Sequence, residues 1–99
     1  MTITYEFEEK ADRELTEGMA PDGTHAVYAE CEGDIIARLL WNPETGVVES
    51  VTVEHVWKRQ GIATTLWHEA TMQAIMRGLT KPRHGEYWTE AGRAWADSL

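Results

Sequence analysis

The hydrophobic period of this chain changes once, and abruptly. Up to Val53 apolar residues tend to recur at every second position. From Ile62 they recur at helical spacing. Between the two lies a basic loop with one glycine, Lys58-Arg59-Gln60-Gly61. Strands followed by a long helix confine the chain to an α+β arrangement in which a helix covers an antiparallel sheet. The switch also creates a local chemistry. A strand that ends in a short basic glycine loop and opens a helix turns several backbone N–H groups toward one point. With the positive end of the helix dipole, they favour a phosphate there.

The strands are readable one by one. Ile3, Tyr5 and Phe7 alternate with Thr4, Glu6 and Glu8, as in a half-buried strand. Residues 10–24 are polar, with Pro21-Asp22-Gly23 as a turn and a short helix expected over Ala11 to Glu17. His25 to Cys31 and Ile35 to Trp41 flank the tight turn Glu32-Gly33-Asp34 and should pair as an antiparallel hairpin. Asn42 to Gly46 is a second turn, and Val47 to Glu54 extends the meander to about four strands. Ile62 to Leu79 is one long helix with Gly78 as its stop. Its Ile62, Leu66, Ala70 and Ala74 share a face, and Met72, Ile75, Met76 and Leu79 form another that a further element should cover. Thr89 suits the N-cap of a short last helix carrying Ala91, Ala94, Trp95 and Leu99.

At 99 residues this is one domain, 1–99, with 42% apolar residues and no run long enough to span a bilayer. The first residues alternate, so no signal peptide is expected, and a single cysteine, Cys31, fits a cytoplasmic location. The net charge is −8, from 9 basic and 17 acidic residues. It is unevenly placed: residues 1–54 hold 13 acidic and 3 basic groups, residues 55–99 hold 4 and 6. An acidic chain is a poor nucleic-acid ligand. An anion suits the second half and a cation, such as an amine, the first. The acidic groups read equally well as a solvated surface. The histidines His25, His55, His68 and His84 show no metal spacing, so no metal is expected.

Lys58-Arg59-Gln60-Gly61-Ile62-Ala63 lacks the glycine and lysine spacing of a P-loop and the spaced glycines of a dinucleotide fingerprint. It resembles the pyrophosphate loop of the GNAT family, the acetyl-CoA-dependent N-acetyltransferases. Their signature, Arg/Gln-x-x-Gly-x-Gly/Ala, lies between a central strand and a long helix. Lys58 takes the first place, Gly61 the fourth and Ala63 the sixth. Val53-x-His55-x-Trp57 stands where members often carry Val-x-Pro-x-Tyr, and Thr64-Thr65-Leu66 opens the helix as expected. The resemblance runs from about Ala26 to Leu79 and identifies the chain as similar to a minimal GNAT fold. Lys58 keeps the charge of the signature arginine but loses its planar fork. His84, Thr89, Gly92 and Trp95 also match the tail of some very short GNAT-like proteins, although Gly85 and Trp88 depart from it.

The resemblance implies acetyl-CoA as co-substrate. The backbone of Gln60, Gly61, Ile62, Ala63 and Thr64 would hold the pyrophosphate, with Lys58 or Arg59 reaching a phosphate. The edge at Val51 and Val53 would pair with the pantetheine arm. It also implies direct acetyl transfer to an amine of a small molecule or protein, without a covalent enzyme intermediate. An aliphatic amine with a pKa of about 10 is mostly protonated at pH 7, so a carboxylate base would help. Glu49 is the candidate, since strand alternation sets it on one face with Val47, Val51 and Val53; a cross-strand partnership with Arg38 is the other reading. Tyr87 is the candidate acid for the departing thiolate. The segment after Leu79 holds no convincing strand, so the acceptor side would be open, or completed by a second copy or a partner. Two other readings stay open: a non-catalytic acyl-CoA-binding module, and an acidic protein-interaction module of inhibitor type.

Overall fold

The computed structural model describes residues 2–9, 24–58 and 60–85. Four strands, β1 (Ile3–Glu8), β2 (His25–Cys31), β3 (Asp34–Trp41) and β4 (Val48–Val53), form one antiparallel sheet in sequence order. After a short 3-10 turn, His55–Trp57, the helix α1 (Ile62–Arg77) lies across it. The meander and long helix expected from the period change are therefore present. The helices expected over 11–17 and after Thr89 lie outside the described residues.

Local chemistry fixes the hairpins. Glu32 and Gly33 both have positive φ, 52° and 85°, the signature of a two-residue type I′ loop whose twist matches the flanking strands. At the β3–β4 turn the Asn42 side-chain oxygen accepts from the amides of Glu44 (2.8 Å) and Thr45 (3.0 Å), and the Gly46 amide donates to the Asn42 carbonyl (2.8 Å).

The core lies between sheet and helix. Val27, Ala29, Ala37, Leu39 and Trp41 from β2 and β3 pack with Ile62, Leu66, Ala70 and Ala74 from α1. The alanines on both sides let the helix sit close to the strands. A buried aliphatic chain such as Leu66 contributes about 2 kcal/mol. Trp41 donates its indole N–H to the carbonyl of Thr80 (3.0 Å) and meets the His25 ring edge-on, centroids 5.3 Å apart. Arg77, in the last turn of α1, stands 4.5 Å over the ring of Phe7 on β1. Gly78, left-handed at φ 67°, ends the helix, and the Leu79 amide returns to the Ala74 carbonyl (2.8 Å).

Two readings of the sequence change here. The helix face of Met72, Ile75 and Met76 is not covered: these residues are 46%, 62% and 71% exposed, and only Leu79 of that group packs on the core. Strand alternation also fails in β4. Leu40 pairs with Ser50 but Trp41 pairs with Val48, so Glu49 is the extra residue of a bulge. Val48, not Val47, is the buried valine at the start of this strand. Glu49 therefore leaves the apolar face and is exposed, and the cross-strand partner of Arg38 is Thr52.

Gly46 has φ 79°, and a Cβ there would run into the carbonyl oxygen of Lys81. Gly33 has an equally positive φ but open space around it. Gly46→Ala should therefore lose about 3 kcal/mol, strain plus clash, and Gly33→Ala about 1 kcal/mol, strain alone. Chemical denaturation of the two variants side by side measures this; equal losses would contradict the contact with Lys81.

Candidate functional site

The site is built where β4 ends. Val51 and Val53 pair with Leu39 and Ala37 of β3 and pack, half-buried, on the core. The Glu54 amide makes one more bond, to the Ile36 carbonyl (2.9 Å), before the chain turns away. The 3-10 turn brings Lys58 to the surface, its amide donating to His55 (3.3 Å). Gln60 is exposed, its side-chain N–H donating to the Val56 carbonyl (3.4 Å).

Gly61 is the N-cap of α1 and sits in the left-handed region, φ 75° and ψ 11°. Its carbonyl accepts both the amide and the hydroxyl of Thr65, each at 3.0 Å. No side chain caps the helix, and no acidic residue lies in its first turn. The amides of Gly61, Ile62 and Ala63 thus have no acceptor among the described residues, while Thr64 has a contact of its own. With glycine at the N-cap, the missing side-chain cap forgoes only a few tenths of a kcal/mol. It leaves donors and the dipole free for an anion. A Cβ on Gly61 would meet nothing within 4 Å, so its glycine answers to the backbone angle, not to crowding. Ile62 anchors the corner by burying its side chain in the core. Arg59 and Tyr87 lie outside the described residues.

The outer edge of β4 is held only at its beginning. Val47 forms a parallel bridge with Arg83. The Val48 amide donates to the Arg83 carbonyl (3.0 Å), and the Arg83 amide donates to Gly46 (2.8 Å). The Arg83 side chain ties to the Thr45 carbonyl through Nε (2.8 Å). Among the described residues no backbone bond reaches the outer edge of Val51–Val53. The sheet therefore forks beside the bulge at Glu49. His84 follows the bridge and stacks flat on Trp67 of α1, centroids 4.3 Å apart at 4°. Three groups thus share one side of the molecule: the uncapped helix start, the open edge and the fork. The sequence did not reveal the fork, because one parallel bridge has no periodicity. It named His84 only through a tail motif.

No three or more His, Cys, Asp or Glu gather as a metal site would require among the described residues, and no helix there is long and apolar enough to cross a membrane. The sequence matches no protein-family model and no curated protein. Solved structures do match the fold. One is a ribosomal-protein-alanine N-acetyltransferase from Brucella melitensis biovar Abortus 2308: TM-score 0.62, 22% identity, 77% of this chain and 60% of that one. A second is an aminoglycoside acetyltransferase from an uncultured soil metagenomic sample: TM-score 0.61, 17% identity, 77% and 55%. A third is a GCN5-related N-acetyltransferase from Ralstonia eutropha JMP134: TM-score 0.58, 17% identity, 76% and 56%. The fold is GNAT-like. The chain covers 55% to 60% of the length of these structures.

The fork makes a measurable demand on Gly85. A Cβ there would fall 2.7 Å from Val47 Cγ1 and 3.4 Å from the Val48 carbonyl oxygen. Gly85→Val should push residues 81–85 off β4 and loosen the Val48 amide by about 1–3 kcal/mol of local opening free energy. Hydrogen exchange should show faster exchange at Val48 with Val51 unaffected. Unchanged protection at Val48 would mean that Arg83 does not hold it.

Proposed function

We propose that the chain binds acetyl-CoA at the corner between β4 and α1 and transfers the acetyl group to an amine. The supporting observation is the uncapped start of α1: three consecutive amides without acceptors among the described residues, following a strand whose outer edge is unpaired among them at Val51–Val53, on a fold shared with acetyltransferases. These groups fit a diphosphate. The first turn carries donors and no carboxylate, and Lys58 adds a positive charge at the loop surface.

The bound thioester supplies an activated acetyl carbonyl. The chain's residues bind and orient it and handle the protons. The amides of Gln60, Gly61, Ile62, Ala63 and Thr64 and the Lys58 ammonium hold the phosphates, and Arg59 adds to that charge. The free edge of Val51 and Val53 offers backbone partners to an amide-containing arm, in the manner of an added strand. The free stretch Val51–Val53 extends about 10 Å, room for part of such an arm to lie from the corner toward the fork. Glu49, exposed at the bulge, takes the proton of the acceptor ammonium directly or through water. The neutral amine then forms the C–N bond as the C–S bond breaks; Tyr87 is the proposed proton donor to the thiolate, and the proton that the acylated nitrogen gives up restores the phenol through water. The proposal includes an acceptor side completed by a second copy or a partner.

Calorimetry with acetyl-CoA and a thiol-release assay over a panel of amines test binding and transfer separately. Gly61→Asp meets no clash but must take a left-handed backbone angle, so it should cost about 1 kcal/mol of stability without unfolding the chain and weaken binding at least about tenfold by setting a carboxylate among the phosphate donors. Unchanged affinity would misassign the corner. Glu49→Gln should keep coenzyme affinity and lower kcat by about a hundredfold. An unaltered rate would remove the base, and binding without thiol release from any amine would favour a non-catalytic acyl-CoA-binding module.

A further inference from the structure

Two nitrogens of a cation buried in this sheet have no hydrogen-bond partner among the described residues. Ile35-Ile36-Ala37-Arg38-Leu39-Leu40-Trp41 carries a single charge in an apolar run. Arg38 stands opposite Tyr28 on β2 and Thr52 on β4, on the face turned away from α1. Only 6% of it is exposed, and its Nε and Nη1 are buried with no hydrogen-bond partner. Guanidinium does not shed its proton in proteins, so it cannot escape the cost of burial by neutralising. Burying fixed donors without acceptors is among the costliest arrangements in a protein interior. Glu6, Glu8 and Glu30 belong to the same face on β1 and β2; each has a contact of its own, although Glu8 Oε2 is also buried without a hydrogen-bond partner among the described residues.

The surroundings suit an anion of defined shape. Ser50 Oγ and Thr52 Oγ1 share a hydrogen bond of 3.3 Å on β4, leaving one hydroxyl proton free, and Thr52 is the cross-strand neighbour of Arg38. A planar fork of N–H groups matches a carboxylate. Arg38 also lies one strand inside the open edge. Its partner Thr52 is three residues from Glu49, roughly 10 Å along the strand. That interval, bridged by two side chains, suits a short molecule with an amine at one end and a carboxylate at the other.

We infer that Arg38 binds the carboxylate of the acceptor, and that the acceptor is a small amino acid. This rests on the acetyl-transfer reading above and names its substrate class. The ammonium end meets Glu49 at the fork, while the carboxylate end satisfies the Arg38 donors with help from Ser50 and Thr52. Arg38 is then a binding residue that sets specificity.

Thiol release with acetyl-CoA tests this, comparing β-alanine with β-alaninamide in the wild type, Arg38→Met and Arg38→Lys. The wild type should prefer the free acid by about tenfold or more in kcat/KM. Arg38→Met should abolish that preference, and Arg38→Lys should keep part of it. A thermal-shift titration with β-alanine needs no turnover: it should stabilise the wild type and leave Arg38→Met unmoved. Arg38→Met should be at least as stable as the wild type without ligand, because it removes two buried donors that lack a described partner, and should bind coenzyme A equally well by calorimetry. Equal use of acid and amide by the wild type, or a preference that survives in Arg38→Met, would overturn the inference. So would an Arg38→Met chain that unfolds while Arg38→Lys folds and does not distinguish acid from amide. Absent coenzyme binding in the wild type would instead defeat the acetyl-transfer reading.

Discussion

The bond from the Val48 amide to the Arg83 carbonyl is the constraint on which the arrangement of the site rests. It engages the outer edge of β4 at its first residue and at no described residue beyond. The inner edge is paired with β3 from Val48 to Val53. The returning chain is held at the β3–β4 turn by three further contacts: the Trp41 indole on Thr80, and the Arg83 backbone and side chain on Gly46 and Thr45. None of these tethers stands near the far end of the strand. There the start of α1 brings its amides to the same edge. A closed end and an anion-seeking end are thus set apart by the length of one strand.

Much of this was legible in the residues. The strand positions, the hairpin turn after Cys31, the helix stop at Gly78 and the buried stripe of Ile62, Leu66, Ala70 and Ala74 follow from short-range periodicity and turn chemistry, and the structure agrees with them, although it places Asp34 in β3 and not in the turn. Glu49 was misplaced on the apolar face because alternation counts residues, whereas a bulge adds one without announcing itself in composition. The uncovered stripe of Met72, Ile75 and Met76 was misread because amphipathicity reports a preference for burial, not the presence of a neighbour. Arg38 carried a signal, one charge in an apolar run, but the missing described partners of two of its nitrogens are a tertiary fact. The fork depends on a single parallel bridge, and no local pattern encodes one.

Three glycines illustrate how one residue type answers different demands. Gly33 and Gly61 take left-handed angles in open space, while Gly46 takes the same angle under the carbonyl of Lys81. The first two serve the direction of the chain, and the third also serves close packing. At Gly61 the same geometry leaves the following amides uncapped, so a small loss in helix stability coincides with the strongest local attraction for a negative group.

The open edge of β4 has a colloidal side as well. A bare strand edge is a template onto which other chains add, and long flat edges lead to fibres. Here the bridge to Arg83 closes one end and the bulge at Glu49 twists the strand, placing an exposed carboxylate beside the remaining stretch. Among the described residues only Val51–Val53 stays available, a short stretch for a neighbouring molecule to grip. The bridge and the bulge that frame this corner also guard the molecule against stacking on itself.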